Sequence, residues 1–264
     1  MIVTTCSHRP ILVPSKLPGF EYQIDPYVGC EHYCYYCYVL GQAETDWSNE
    51  IQMYGDICDQ LGEELEGLDP QKIYMGYYSD PYQPQEAECL QTRGVLKLLM
   101  ERGFSASILT KSDLVVRDAD ILGEMEYASV SVSVAFNEEA VREKFEKCTM
   151  ATARRIEALR KLKDACIRVN ALLCPVIPFV TDVEPLIDAL SPVADTIWIY
   201  GLSVLNKSDP SWQNVEEILL THFPGLSQLI EEVVFSKDHD YWQQLRKKLE
   251  RLAEEKQLDL SIHV

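Results

Sequence analysis

Six runs rich in β-branched and aromatic residues recur along this chain, each separated from the next by a stretch of helical character. They are EYQID (21–25), KIYMGYY (72–78), SASILT (105–110), YASVSVSVAF (127–136), IRVNALLC (167–174) and TIWIYGL (196–202). Helical patterns fall within 47–66 and over 86–102, 113–124, 138–165 with a break near Cys148, and 183–190. Alternation of this kind makes the strands parallel, because each helix returns the chain to the same end of the sheet. Six units without two more predict an α/β fold, a partial (β/α)6 TIM-like barrel with a short N-terminal strap and C-terminal helices. The expected divisions are a strap over 1–20, the barrel over 21–205 and a helical extension over 206–264. That extension opens with Asp209 as N-cap and Pro210 at the first helical position. Its last stripe is Trp242, Leu245, Leu249 and Leu252, and the expectation is that these helices close the open side or the bottom of the barrel.

Composition narrows the classes. Of 264 residues, 47% are hydrophobic, enough to fill one large core. The opening MIVTTCSHRP lacks a basic region followed by an apolar run, and the longest apolar stretch, ALLCPVIPFV (171–180), holds two prolines. The reading is a cytoplasmic protein without a membrane span. Nine cysteines, six of them scattered, do not form a secreted disulfide framework. A net charge of −18 opposes non-specific adhesion to nucleic acid, so DNA binding would require a local basic patch. In 151–165, Ile156, Leu159 and Leu162, continued by Cys166, mark a buried stripe. The charges Arg154, Arg155, Arg160, Lys161 and Lys163 read as a solvated helix surface.

In barrels of this kind, chemistry gathers at the carboxyl ends of the strands. Those ends carry Cys30–Cys37, Ser79–Asp80–Pro81, Lys111–Ser112–Asp113, Asn137, Pro175 and Gly201–Ser203. Cys30, Cys34 and Cys37, spaced CxxxCxxC, bind soft metals, and an iron–sulfur cluster is the leading candidate. Three protein ligands on a four-iron cluster leave one iron open to a substrate. Zinc with a fourth ligand from His32, His8 or Cys58 stands as the alternative. In 127–136, Ser129, Ser131 and Ser133 alternate with valines, so one strand face is hydroxylated.

The stretch CEHYCYYCY resembles the signature of the radical S-adenosylmethionine (radical SAM) superfamily, CxxxCxΦC with an aromatic before the third cysteine. Four stretches, DPYVGCEHYCYYCY, YYSDPYQPQEAECLQTRG, LTKSDLVVRD and CPVIP, resemble the spore photoproduct lyase-like branch, and the similarity covers roughly 20–205. The resemblance implies a [4Fe-4S] cluster on Cys30, Cys34 and Cys37, chelated at its fourth iron by S-adenosylmethionine. It places Tyr36 near the adenine, Ser79 and Asp80 in the cofactor pocket, and Lys111 at the methionine carboxylate, where a charge-assisted hydrogen bond would form. Ser131 or Ser133 would meet the ribose or carboxylate, and Tyr36 and Tyr38 match tyrosines that serve as radical relay partners.

One departure stands out. Spore photoproduct lyases carry a hydrogen-donating cysteine where this chain has Tyr77. Tyr77 is itself a candidate donor, and so is Cys174, which enters from the opposite side of the barrel. Tyr77, Tyr78 and Tyr82 are expected to line the pocket rim for stacking. The resemblance therefore implies a lyase-like enzyme that cleaves S-adenosylmethionine reductively to a 5′-deoxyadenosyl radical and takes hydrogen from a substrate the sequence does not name. It needs an electron donor such as reduced flavodoxin or ferredoxin. Two other readings stay open: lesion repair on DNA, and a non-catalytic iron–sulfur or zinc protein.

Overall fold

The structure is a computed structural model and describes residues 1–264. Its strands are β1 (Ile2–Thr5), β2 (Leu12–Pro14), β3 (Tyr22–Ile24), β4 (Tyr27–Val28), β5 (Glu50–Met53), β6 (Lys72–Met75), β7 (Ser105–Thr110), β8 (Ser129–Ser133), β9 (Arg168–Val176), β10 (Thr196–Gly201) and β11 (Leu260–His263). The main sheet runs β11-β10-β9-β8-β7-β6-β3-β2. From β3 to β10 every pairing is parallel, and these six strands coincide with the six runs legible in the sequence. A partial barrel results.

Two additions lie outside that reading. β2 caps one edge antiparallel to β3, and β11 extends the other edge parallel to β10. The extension after residue 206 thus ends in a strand, after helices Pro210–His222, Ser227–Val234 and Asp240–Lys256. Asp209 caps the first of these by accepting from the Ser211 amide at 3.0 Å. The first two pack through Trp212, Val215, Leu219 and Ile230 against Phe136, Phe145 and the cysteine loop. They cover the carboxyl end of the barrel, not its bottom. The third lies against β10, where Gly201 lets the Trp242 ring approach to 3.1 Å from the position a Cβ would take.

The helix expected within 47–66 is in part a strand. β5 is held between β1 and β4 in a small second sheet, and helix Ile57–Glu64 starts only afterwards. Pairing on both edges, with Ile51 fully buried, overrides local helix propensity there. The helix expected over 86–102 divides at Leu90, whose φ of 55° is left-handed.

The two faces of the main sheet differ in chemistry. Ile73, Met75, Ala106, Ile108, Val130, Val132, Val169, Ala171 and Leu173 point outward and merge with the helices in one core. The alternate positions, Tyr74, Ser107, Ser131, Asn170, Trp198 and Tyr200, face inward and stay partly accessible. The barrel lumen is therefore polar and aromatic rather than packed.

Candidate active site

The cysteine loop follows β4 and is tied down from both sides. Within it the Cys37 amide donates to the Cys34 carbonyl at 3.0 Å, and the Leu40 amide donates to Cys37 at 3.1 Å. Across from it, residues 145–148 pair with the loop like a short strand. Tyr35 N–H donates to the Phe145 carbonyl at 2.9 Å, Cys148 N–H donates to His32 at 3.1 Å, and Cys34 bridges Glu146. Glu146 is the anchor of this clamp. It accepts from the Tyr36 hydroxyl and from Thr149 Oγ1, and forms an ion pair with Arg155 in which both side chains are no more than 1% exposed. Burial alone would raise the Glu146 carboxyl, but the Arg155 guanidinium holds it down at about 2. Arg155, expected on a solvated surface, is instead a buried member of the site.

Burial raises all three loop thiols, Cys30 to about 12. The negative charges of Asp80 and Cys37 push Cys30 further in the same direction, while the Lys111 ammonium pulls Cys34 and Cys37 down. Three soft donors on one loop match a metal cluster, whose positive charge would ionise its ligands.

Lys111 enters from the end of β7. Its Nζ lies 5.7 Å from the centroid of the Tyr36 ring, and burial lowers it less than the charges of Cys34, Glu146 and Cys174 raise it. Asp113, its nearest sequence candidate for a partner, pairs instead with Arg154 at 2.6 Å. The ammonium is thus held beside the thiols without a carboxylate of its own.

Asp80 and Ser79 have protein partners. Asp80 accepts from Thr110 Oγ1 at 2.6 Å, from the Lys111 amide at 2.7 Å and from the Tyr82 amide at 2.8 Å. His32 Nδ1 lies 3.1 Å away. Burial would raise Asp80, yet the His32 charge and these donors hold it at about 2. The Ser79 hydroxyl donates to the Tyr27 carbonyl at 2.9 Å. Asp80 braces the strand end from which Lys111 projects, and Ser79 ties the turn after β6 to β4. Ser133 is likewise buried and donates to the Cys174 carbonyl at 3.4 Å, whereas Ser131 is partly open and accepts from Asn170 Nδ2 at 3.4 Å.

Asp25, absent from the expected site, organises the turn after β6. Its carboxylate accepts from the Tyr78 and Ser79 amides at 2.7 and 3.0 Å, yet burial still lifts it to about 6. The sign follows directly. A carboxyl raised in the fold favours the protonated native state, so its ionisation weakens the fold as pH rises through about 6. Asp25→Asn is expected to be more stable than wild type by up to about 2 kcal/mol near pH 8. The gain should shrink as pH falls through 6 towards the unperturbed 3.8. Urea unfolding near both ends of that range checks this, and a pH-independent difference would contradict it.

At the mouth, Tyr38 donates to the Tyr77 carbonyl at 2.6 Å. The Tyr38, Tyr77 and Tyr78 rings meet edge to face at 5.6 and 4.8 Å. Tyr82 does not join this rim: it is fully buried, with the Arg117 guanidinium 5.8 Å from its ring centroid. Cys174 closes the opposite wall. Burial raises its thiol to about 11, tempered by Lys111, and burial likewise raises the neighbouring Tyr74 and Tyr200 hydroxyls. Tyr74 and Tyr200 were missed, although period-2 alternation within their runs would have put them on the inward face.

Comparisons with known proteins agree with this geometry. The family model for the radical SAM superfamily matches residues 24–190. A protein from Methanocaldococcus jannaschii is 33% identical over 208 residues, covering 77% of this chain and 78% of that one. A Mycobacterium tuberculosis protein is 27% identical over 210 residues, and the match spans 73% of this chain and 62% of the relative. Both relatives are described as uncharacterised. Among solved structures, a spore photoproduct lyase with bound AdoMet and dinucleoside spore photoproduct superposes with a TM-score of 0.67 at 16% identity, over 99% of this chain and 82% of that one. Streptococcus suis SuiB bound to S-adenosylmethionine gives 0.59 at 11% identity, over 89% and 48%. The chain belongs to the radical SAM superfamily. Its fold is the one shared by these two enzymes.

Proposed function

We propose that this protein is a radical SAM enzyme that removes a hydrogen atom from a small substrate held in the polar lumen of the barrel. The observation that carries the reading is one arrangement. Three thiols on one loop, Cys34 buried and Cys30 and Cys37 partly so, face an ammonium that has no carboxylate, and a fourth thiol stands on the opposite wall. Cys30, Cys34 and Cys37 would hold a [4Fe-4S] cluster, and Lys111 would take the carboxylate of S-adenosylmethionine. When bound, this pair supplies one-electron cleavage of a carbon–sulfur bond and so a carbon radical able to abstract hydrogen. Tyr36 is locked by Glu146 and walls the cofactor side, and Ser131 offers the accessible hydroxyl of β8. The covering helices pack against Cys34 and Tyr36 and so shield that side of the loop from water, which a reactive radical requires.

We assign hydrogen return to Cys174 rather than to Tyr77 or Tyr38: its S–H bond breaks as the substrate radical takes the hydrogen atom, and one electron from the external donor with one proton restores the thiol. The Tyr38 hydroxyl is committed to a carbonyl, and Tyr77 sits at the rim. Cys174 keeps its proton at neutral pH and faces the same lumen as Tyr74 and Tyr200. A DNA lesion is the weaker reading, since a chain of net charge −18 has little with which to grip phosphates along a strand. The electron would come from a small donor of the flavodoxin or ferredoxin kind. No helix is long and apolar enough to cross a membrane.

The test is anaerobic loading with iron and sulfide, then chemical reduction with S-adenosylmethionine. Wild type is expected to carry about four irons per chain and to release 5′-deoxyadenosine and methionine. Alanine at Cys30, Cys34 or Cys37 should abolish both. Lys111→Met should keep its iron and bind S-adenosylmethionine roughly tenfold or more weakly. Cys174→Ala should retain cleavage. Iron-loaded protein that releases no deoxyadenosine would sink the assignment.

A further inference from the structure

At the end of the barrel away from the cysteines, the turns that lead into β8 and β9 enclose a cavity of about 450 Å³. Lys72, Leu122, Met125, Tyr127, Ile167 and Arg168 line it. Lys72 is the first residue of β6 and Arg168 the first of β9. By strand alternation both share the inward face with Tyr74 and Asn170. Neither forms an ion pair.

Lys72 is partly buried and Arg168 exposed, and the two repel each other across the cavity. The chain has 42 acidic residues against 24 basic ones, so counter-charges are abundant. Glu124 and Glu126 flank the cavity, yet both are exposed and pair with neither cation. Burial and the positive charge of Arg168 both lower Lys72, and no carboxylate offsets them. Between the two cations the register sets only hydroxyls. Ser105 pairs with Lys72, Ser129 pairs with Arg168, and the Ser129 hydroxyl donates to Ser107 at 3.1 Å. Ser105 Oγ is buried, with the residue only 7% exposed, and has no hydrogen-bond partner. Two unpaired cations that repel across one cavity describe half of a binding site. The missing half is an acceptor bearing negative charge.

We propose that this cavity binds a phosphate-bearing small molecule, its phosphate held between Lys72 and Arg168, and its remainder against Leu122, Met125 and Ile167. A guanidinium and an ammonium together match a tetrahedral oxyanion. The volume exceeds what phosphate alone needs and falls in the range of small-molecule sites. Tyr127 stands at the rim, 76% exposed, with φ at 63°, a conformation costly for a bulky residue. Its ring is presented where the organic part of the ligand would lie. The site is remote from the cysteine loop and independent of the chemistry proposed there.

Titration calorimetry on the full chain at low ionic strength tests this, with inorganic phosphate and AMP as separate probes. Wild type should bind with saturable one-to-one stoichiometry, and Arg168→Gln and Lys72→Met should each bind about tenfold or more weakly. Arg168→Lys should recover part of the loss. Added phosphate should raise the melting temperature of wild type but not of Arg168→Gln, while deoxyadenosine release stays unchanged in every variant. Tighter binding of AMP than of phosphate assigns the apolar wall to the ligand, and equal binding assigns a phosphate site fed by the free ion. Lack of saturable binding by either probe, or binding by both neutral variants as tight as wild type, overturns the proposal.

Discussion

Glu146→Ala is expected to destabilise the protein by about 3–5 kcal/mol and to leave the cysteine loop without iron. The substitution strands the Arg155 guanidinium in a site only 1% exposed. It also removes the acceptor of the Tyr36 hydroxyl and of Thr149 Oγ1. Arg155 keeps the carbonyls of Met150 at 2.7 Å and Ser133 at 3.0 Å, which do not neutralise its charge. Denaturant unfolding of the single variant and of Glu146→Ala with Arg155→Met separates the effects. Removing both charges should restore much of the stability, because the penalty lies in the unpaired cation. Iron content should stay low in both, since Tyr36 has lost its anchor. Acid titration gives a second check. A carboxyl depressed to about 2 contributes stability that is complete above its ordinary 4.5 and fades as pH falls through 2. That acid-labile component should vanish in the single variant. A Glu146→Ala protein as stable as wild type, with full iron, would contradict the clamp.

Gly76→Ala should be comparably severe, above about 3 kcal/mol, by steric means alone. At Gly76 φ is 103°, and an added Cβ would clash with the Leu109 carbonyl oxygen and stand 3.0 Å from Pro81 Cδ. Neither neighbour is a flexible side-chain end, so the carboxyl ends of β6 and β7 would have to part. Asp80 follows Gly76 by four residues and holds the Lys111 amide at 2.7 Å, so that separation moves the ammonium as well. The expected outcome is a lower urea midpoint together with weaker S-adenosylmethionine binding. An alanine variant within about 0.5 kcal/mol of wild type would show that the strands tolerate the shift.

What the sequence disclosed divides along physical lines. The six parallel strands were legible because each is a compact run of β-branched and aromatic residues, and the cysteines because three soft ligands within eight positions have few other uses. β11 was not, since LSIH follows directly on a long helix and acquires strand character only from β10 beside it. Nor was the partnership of Glu146 with Arg155 and Tyr36. Tyr36 and Glu146 lie 110 residues apart, and Arg155 shares its helix with Arg154 and Arg160, which are exposed. One turn of sequence context cannot tell a buried arginine from its solvated neighbours. Tyr82 failed in the opposite sense: its placement among other tyrosines resembled a rim, but the helix that follows draws its ring into the core.

The hydroxylated lumen has a consequence for how such a protein could change its task. Strand positions that hold the molecule together, such as Val130, Val132 and Val169, point away from those that would meet a substrate, such as Ser131, Asn170 and Tyr200. Adhesion and selectivity are thereby written on alternate letters of the same segments. Inward replacements can remodel the cavity while the hydrophobic girdle behind it stays intact, so new specificities are accessible by single steps that leave the scaffold folded.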